Sequence, residues 1–345
     1  MSNLFKTNTT PLLIAGPCSI ESPEMLRQVA LALASMKVDW IRGGVWKPRT
    51  RPGGFEGHGE EALRWMMDIK KEMPQLRFCC EVARPEHVEL CLRYGVDALW
   101  LGSRTVGNPF SVGELCASLQ GTHIPVLVKN PMTPDVALWQ GAIERIERSG
   151  IESIAAIHRG FSMFNNLGYR NHPLWEIPME LRRRMPDLPL LCDPSHIGGK
   201  DNLVGELMQT ALDLHFDGLM VEVHPSPSCA LTDSAQQITP ELFLSLVANL
   251  KVHQDNNPSE LQLLRQQIDS IDSQLLDLLA NRLKVSRTIA EVKAENNMAV
   301  YQPKRWTEVL QRKLRQAEEM GLDPDFVKEL YERIHTESVK VQLQK

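Results

Sequence analysis

No apolar run in this chain of 345 residues approaches the ~20 that a membrane-spanning helix needs, which excludes a transmembrane helix. The stretch from Met1 to Thr10 lacks the apolar core of a signal peptide, so the chain is expected in the cytoplasm. A disulfide framework is missing as well. The seven cysteines (Cys18, Cys79, Cys80, Cys91, Cys116, Cys192 and Cys229) are odd in number and irregularly spaced, as reduced thiols are. Nor is there an excess of positive charge: Lys+Arg 38 against Asp+Glu 43 gives −5. That balance argues against a nucleic-acid surface and leaves each local basic cluster to a local ligand.

What is present is a repeat of short apolar runs. They lie at 12–15, 40–45, 76–82, 98–101, 126–128, 154–157, 188–192 and 218–223, and read as eight buried strands. Helical periodicity fills the gaps, as at 23–36, 59–73, 85–93, 134–149 and 202–214, with Pro23, Pro85 and Pro134 suited to first turns. Eight βα units within the first 250 residues predict an α/β fold, a (β/α)8 TIM barrel over 1–253. The length leaves room for a second, smaller domain.

The ends of the runs carry the chemistry. Cys18-Ser19, Lys47-Pro48-Arg49-Thr50, Glu81, Ser103-Arg104, Lys129, His158-Arg159, Asp193-Pro194-Ser195-His196 and Glu222-Val223-His224 each follow a strand, and barrel active sites sit at that end. The densest stretch is Trp40 to Pro52, where an apolar run and two glycines lead into Arg42, Lys47, Arg49 and Arg51. Pro48 and Pro52 hold the preceding cations in extended backbone, so an anionic ligand is expected above them. Cys18, His196, Glu222 and Asp233 make a mixed sulfur, nitrogen and oxygen set suited to a divalent transition metal. Arg42, Lys47, Arg49, Arg104, Lys129 and Arg159 surround it and suggest two phosphates plus a carboxylate. A Lewis acid beside them suggests condensation with an aldehyde.

Beyond residue 250 the character changes. Residues 254–258 read as a polar linker, and Ser259 as an N-cap. Apolar residues then recur in steps of three and four from Leu261 through Leu278, and again from Val285 to Val292. A helix over 259–295 would be ~55 Å long and should pair with another chain. Two more helices are expected, at 303–320 and 324–343. The stripe is broken by Arg282, and Lys293, eleven residues on, shares its face to within ~20°. Arg265, seventeen residues back, points ~100° away and is better aimed at a partner's pocket. Charge on a buried stripe is costly without an anion, so a small anion inside an all-α dimer is inferred.

The barrel motifs Ala15-Gly16-Pro17-Cys18-Ser19, Arg42-Gly43-Gly44, Lys47-Pro48-Arg49-Thr50, Gly102-Ser103-Arg104, Lys129-Asn130-Pro131, His158-Arg159-Gly160, Asp193-Pro194-Ser195-His196 and Glu222-Val223-His224-Pro225 resemble 3-deoxy-D-arabino-heptulosonate 7-phosphate (DAHP) synthase of the compact subtype. The related 3-deoxy-octulosonate 8-phosphate synthase usually lacks the Lys-Pro-Arg-Thr signature and is the lesser alternative. The resemblance implies condensation of phosphoenolpyruvate with erythrose 4-phosphate. It implies one divalent metal per barrel on Cys18, His196, Glu222 and Asp233, with Mn2+ first and Co2+, Zn2+, Fe2+ or Cd2+ as alternatives. Arg104 and Arg159 would hold the phosphoenolpyruvate phosphate, with Arg42, Lys47 and Lys129 near its carboxylate, and Arg49 and Thr50 would address the sugar phosphate. Glu81 sits where that family keeps an acid near the reacting carbons; an ion pair with a lysine is the alternative.

Leu264-Arg265 with Ile268-Asp269, Leu278 to Arg282, Ile289 to Lys293, Arg305, and Ser338 to Gln342 resemble the all-helical chorismate mutase, over 259–345. By that resemblance Arg282 and a partner's Arg265 bind the two carboxylates of chorismate. Lys293 and Gln342 meet its ether oxygen, with Arg305 and Ser338 as further contacts. Gln302 and Trp306 stand where that family usually has carboxylates. The chain is thus expected to be a bifunctional shikimate-pathway enzyme, homodimeric through the helical domain or a higher oligomer built on it. The alternative is a synthase whose helical domain only dimerises and senses a product. With no separate regulatory domain expected before Pro11, feedback by prephenate or chorismate is expected through the helical domain.

Overall fold

A closed parallel sheet buries each strand on both faces, which is why these strands are apolar except at or near their C-terminal ends. In the computed structural model they are β1 (Leu12–Gly16), β2 (Trp40–Arg42), β3 (Phe78–Val82), β4 (Ala98–Leu101), β5 (Val126–Lys129), β6 (Ile154–His158), β7 (Leu190–Cys192) and β8 (Gly218–Glu222). They pair in sequence order, and β8 closes on β1. The structure describes residues 3–6, 10–36, 38–48, 53–163, 168–252 and 259–344, apart from the side chains of 259–264, 266, 267 and 270. Two compact units result, 1–254 and 255–345. No helix among the described residues is long and apolar enough to cross a membrane.

Around the sheet lie α1 (Pro23–Ala34), α2 (Glu60–Glu72), α3 (Pro85–Arg93), α4 (Ser103–Val106), α5 (Pro109–Leu119), α6 (Val136–Arg148), α7 (Glu176–Arg184), α8 (Pro194–Gly198), α9 (Asp201–Asp213) and α10 (Pro240–Asn249). Pro23 and Pro85 open α1 and α3, where a missing N–H costs nothing. Pro134 does not open α6. Asp135 caps it instead, its carboxylate accepting the Leu138 N–H at 2.9 Å, which serves an orphan donor that proline cannot. Strand β2 stops at Arg42 rather than at Val45, because Gly43 and Gly44 turn the chain toward the loop after β1. There the Ile20 N–H donates to Gly44 O at 2.9 Å.

Inside the barrel, Ile14, Trp40, Trp100, Leu127, Ile157 and Met220 belong to one cluster, together with a fully buried Phe5 whose ring lies 5.6 Å from Trp40. Burying each such side chain contributes about 1.5–3 kcal/mol. His158 ends β6 with its ring among Trp139, Phe161, Trp175 and Phe216. Alternation along the chain then sends Arg159 to the mouth. Burial pushes the His158 imidazole down to about 3 from 6.5. Folded His158 therefore stays neutral while the unfolded chain takes up a proton, so its contribution is complete above pH 6.5 and is lost as pH falls toward 3. Between pH 7 and pH 5 this single group should cost about 2 kcal/mol of stability. Denaturant titrations of His158→Phe at the two pH values should show that much less loss than wild type. An equal loss in both proteins would refute the assignment.

The second unit comprises α11 (Ser259–Glu295), α12 (Pro303–Glu319) and α13 (Pro324–Leu343), with α13 packed on both others. Helix α11 is 37 residues long, or ~55 Å. Its stripe of Ile268, Ile271, Leu275, Leu278, Val285, Ile289 and Val292 is 43–65% exposed within one chain.

Candidate functional site

The barrel mouth is built around a carboxylate. Asp193 follows β7 and is fully buried; its Oδ2 lies 2.7 Å from Lys129 Nζ, 2.8 Å from His196 Nδ1 and 3.9 Å from Arg42. Its Oδ1 accepts the His196 backbone N–H at 3.1 Å and so caps α8. Burial alone would raise the Asp193 pKa, but His196, Lys129 and Arg42 outweigh it and hold the group well below the ordinary carboxylate range. The same burial pulls Lys129 down, against the opposing pull of Asp193.

Next to it three donor atoms converge. Cys18 Sγ and one carboxylate oxygen each of Glu222 and Asp233 lie within 4.8 Å of one another. His196 Nε2 stands beside them, 3.7 Å from Glu222 Oε1. Gly16, with φ +148°, lets β1 close on the Arg42 backbone, where a Cβ would collide with that carbonyl. This brings Cys18 over β8. Each donor has a cationic neighbour: Lys47 Nζ donates to Cys18 Sγ at 3.0 Å, Arg42 meets Glu222 Oε1 at 3.0 Å, and Arg170 meets Asp233 Oδ1 at 3.0 Å. Gln236 Nε2 donates to Glu222 Oε2 at 2.6 Å, whereas the buried Oε1 has no hydrogen-bond partner. Burial, helped by Glu222, pushes the Cys18 thiol up to about 12. Burial pulls Lys47 down, but Cys18, Glu222 and Glu81 outweigh it and its pKa rises. A soft sulfur with a ring nitrogen and two carboxylates fits a divalent transition metal.

Lys47, Glu81, Arg104, Lys129, Arg159 and Arg170 line the cavity above. Glu81 lies against Gly102, where a side chain would strike its carboxylate, and its Oε2 accepts the Trp100 Nε1–H at 3.1 Å. No lysine pairs with Glu81 among the described residues. Arg159 is 7% exposed, and burial with Arg170 and Arg104 nearby pushes it down to about 10 despite Asp193. Arg42 is 1% exposed and stacks 5.1 Å over Trp100, so it acts from beneath the cavity. Arg49, Thr50 and Arg51 lie outside the described residues. Two residues here escape sequence reasoning. Asp193 is legible only as part of a motif, and Arg170, in the loop before α7, carries no local signal.

In the helical unit Arg282 donates to Ser338 Oγ. Lys293 Nζ donates to Gln342 Oε1 at 3.2 Å and to Val300 O at 2.6 Å. The two cations of α11 thus reach one stripe of α13. Arg265 is seventeen residues away along the same helix, ~26 Å, and cannot join them within a chain. Arg305 is 62% exposed and sits 3.6 Å from Glu308. Trp306 stacks on His335, centroids 3.9 Å apart and planes within 11°.

Residues 4–256 match the model of the DAHP synthetase I family, and residues 264–343 that of chorismate mutase type II. A phospho-2-dehydro-3-deoxyheptonate aldolase of Thermotoga maritima is 32% identical over 239 residues, covering 69% of this chain and 68% of the relative. A solved DAHP synthase structure from Thermotoga maritima aligns with TM-score 0.61 at 29% identity, over 74% of this chain and 70% of that one. The T-protein of Enterobacter agglomerans is 40% identical over 80 residues, 23% of this chain and 21% of the T-protein. The chain therefore belongs to the DAHP synthetase I family, a synthase barrel joined to a chorismate mutase type II domain in one bifunctional shikimate-pathway enzyme.

Proposed function

We propose that residues 1–253 condense phosphoenolpyruvate with erythrose 4-phosphate on a divalent metal held by Cys18, His196, Glu222 and Asp233. In this reading 254–258 link the barrel to a mutase domain at 259–345. The observation that carries it is the convergence of Cys18, Glu222 and Asp233, with His196 Nε2 3.7 Å from Glu222 Oε1, beside a cavity lined by Lys47, Arg104, Lys129 and Arg159. When bound, the metal supplies Lewis-acid polarisation of the aldehyde carbonyl. Arg104 and Arg159 receive the phosphate of phosphoenolpyruvate, and Lys129 and Lys47 its carboxylate. Arg42 pins Glu222 and Asp193 from below, and Arg49 and Thr50 take the sugar phosphate. C3 of phosphoenolpyruvate bonds to the aldehyde carbon, whose oxygen gains a proton. Water adds at C2, and the C2–O bond to phosphate breaks to release inorganic phosphate. Glu81 accepts the proton that this water sheds.

In the helical domain Arg282 and the Arg265 of a second copy bind the two carboxylates of chorismate, and Lys293 with Gln342 meets the ether oxygen. Ser338 steadies Arg282, and Arg305 contributes from the rim. The exposed stripe of α11 supports the homodimer, since a second copy would cover it. Holding the compact conformer and countering charge on the ether oxygen is all that a unimolecular rearrangement requires. Feedback by prephenate enters through the same domain. One experiment tests the reading: DAHP formation by the full chain with erythrose 4-phosphate or arabinose 5-phosphate, with and without prephenate. Preference for the pentose would overturn the substrate assignment, and indifference to prephenate would overturn the feedback.

A further inference from the structure

Helix α13 presents His335, Ser338 and Gln342 at i, i+3 and i+7, one stripe of a helix. Ser338 is engaged by Arg282 and Gln342 by Lys293. The third member is not engaged: His335 Nε2 is buried and makes no hydrogen bond among the described residues. Its ring is held flat on Trp306 at 3.9 Å, and Tyr301 lies 5.9 Å from it. Such stacking fixes the direction of both ring nitrogens at little entropic cost. A buried polar atom without a partner destabilises a fold, so an oriented one beside two cations points to a ligand.

We propose that His335 is a substrate-binding residue of the helical unit, its Nε2 hydrogen-bonded to the ring hydroxyl of the cyclic dicarboxylate. The inference rests on the mutase reading above and deepens it. Chorismate offers two carboxylates, one ether oxygen and one hydroxyl. The arginines suit the carboxylates, and Lys293 with Gln342 suits the ether oxygen, which leaves the hydroxyl for the buried, unpartnered Nε2 of His335. Burial, with Arg282 and Lys293 nearby, holds the imidazole below its ordinary 6.5, so the ring is neutral at pH 7. A neutral ring has one donor and one acceptor nitrogen, and a hydroxyl can satisfy either. Trp306 presents its ring face, not a polar atom, to the imidazole. It serves instead as the wall that aims His335.

The test compares the full chain and its variants on chorismate and on a chorismate analogue lacking the ring hydroxyl. Wild type should prefer chorismate by on the order of tenfold in kcat/KM. His335→Leu should lose about that factor on chorismate, mostly in KM, and change little on the analogue. His335→Gln, which keeps a hydrogen-bonding side chain, should recover most of the loss. Equal losses on both substrates would show a merely structural role and overturn the proposal, as would a wild type that does not distinguish them. The wild-type comparison stands even where a variant fails to fold. Failure of the wild-type chain to convert chorismate at all would instead refute the mutase reading, and this inference with it.

Discussion

Chelation of divalent metal should slow DAHP formation by at least roughly 10^3-fold, with recovery when Mn2+ or a similar ion is returned. The size follows from what the site is asked to do. An aldehyde carbonyl attacked by an enol carbon develops negative charge on oxygen, and a Lewis acid stabilises that charge by several kcal/mol. The protein's cations cannot replace it, since Arg42 and Arg170 are already paired with Glu222 and Asp233, and Lys47 is hydrogen-bonded to Cys18 Sγ. Lys129 and Arg159 line the cavity that the proposal gives to the substrate anions. Loading should also raise the melting temperature, because a ligand bound only by the folded state stabilises it by mass action. Cys18→Ala should weaken both effects. Full activity in excess chelator, on protein shown by elemental analysis to carry no metal, would sink the metal assignment.

Lys293→Gln should lower kcat for chorismate rearrangement by about 10^2–10^3, the usual cost of losing one preorganised donor to a developing oxyanion. Nζ is held by Gln342 Oε1 and Val300 O, so the charge is aimed before substrate arrives and needs no reorganisation. Glutamine can still hydrogen-bond but carries no charge, which isolates the electrostatic part. DAHP formation by the same preparation reports whether the barrel is intact. A rate within threefold of wild type would remove Lys293 from the mechanism.

Much of the fold could be read locally. The eight strands are continuous apolar runs because both of their faces are buried, and the ends of those runs carry charge because the mouth is solvated. The long helix could be read just as directly, since Arg282 and Lys293 fall on one face by periodicity alone, and both reach α13. Local errors had local causes. Proline can start a helix, yet Asp135 won the cap at α6 because only a side-chain acceptor serves the exposed N–H. The glycines after Arg42 ended β2 because they serve a close approach to the β1 loop.

The residue sequence by itself determined which side chains stand at strand ends and which share a helix face, because both follow from the repeat distances of the backbone. Tertiary structure alone decided their partners. Asp193 became the hub of Lys129, His196 and Arg42 only because barrel closure brings β2, β5 and β7 together. Arg170 reached Asp233 across a loop, 63 residues being no guide to a 3.0 Å contact. His335 acquired its aim from Trp306, on a different helix. Contacts of this kind depend on how elements pack in three dimensions, and no periodicity along the chain encodes them.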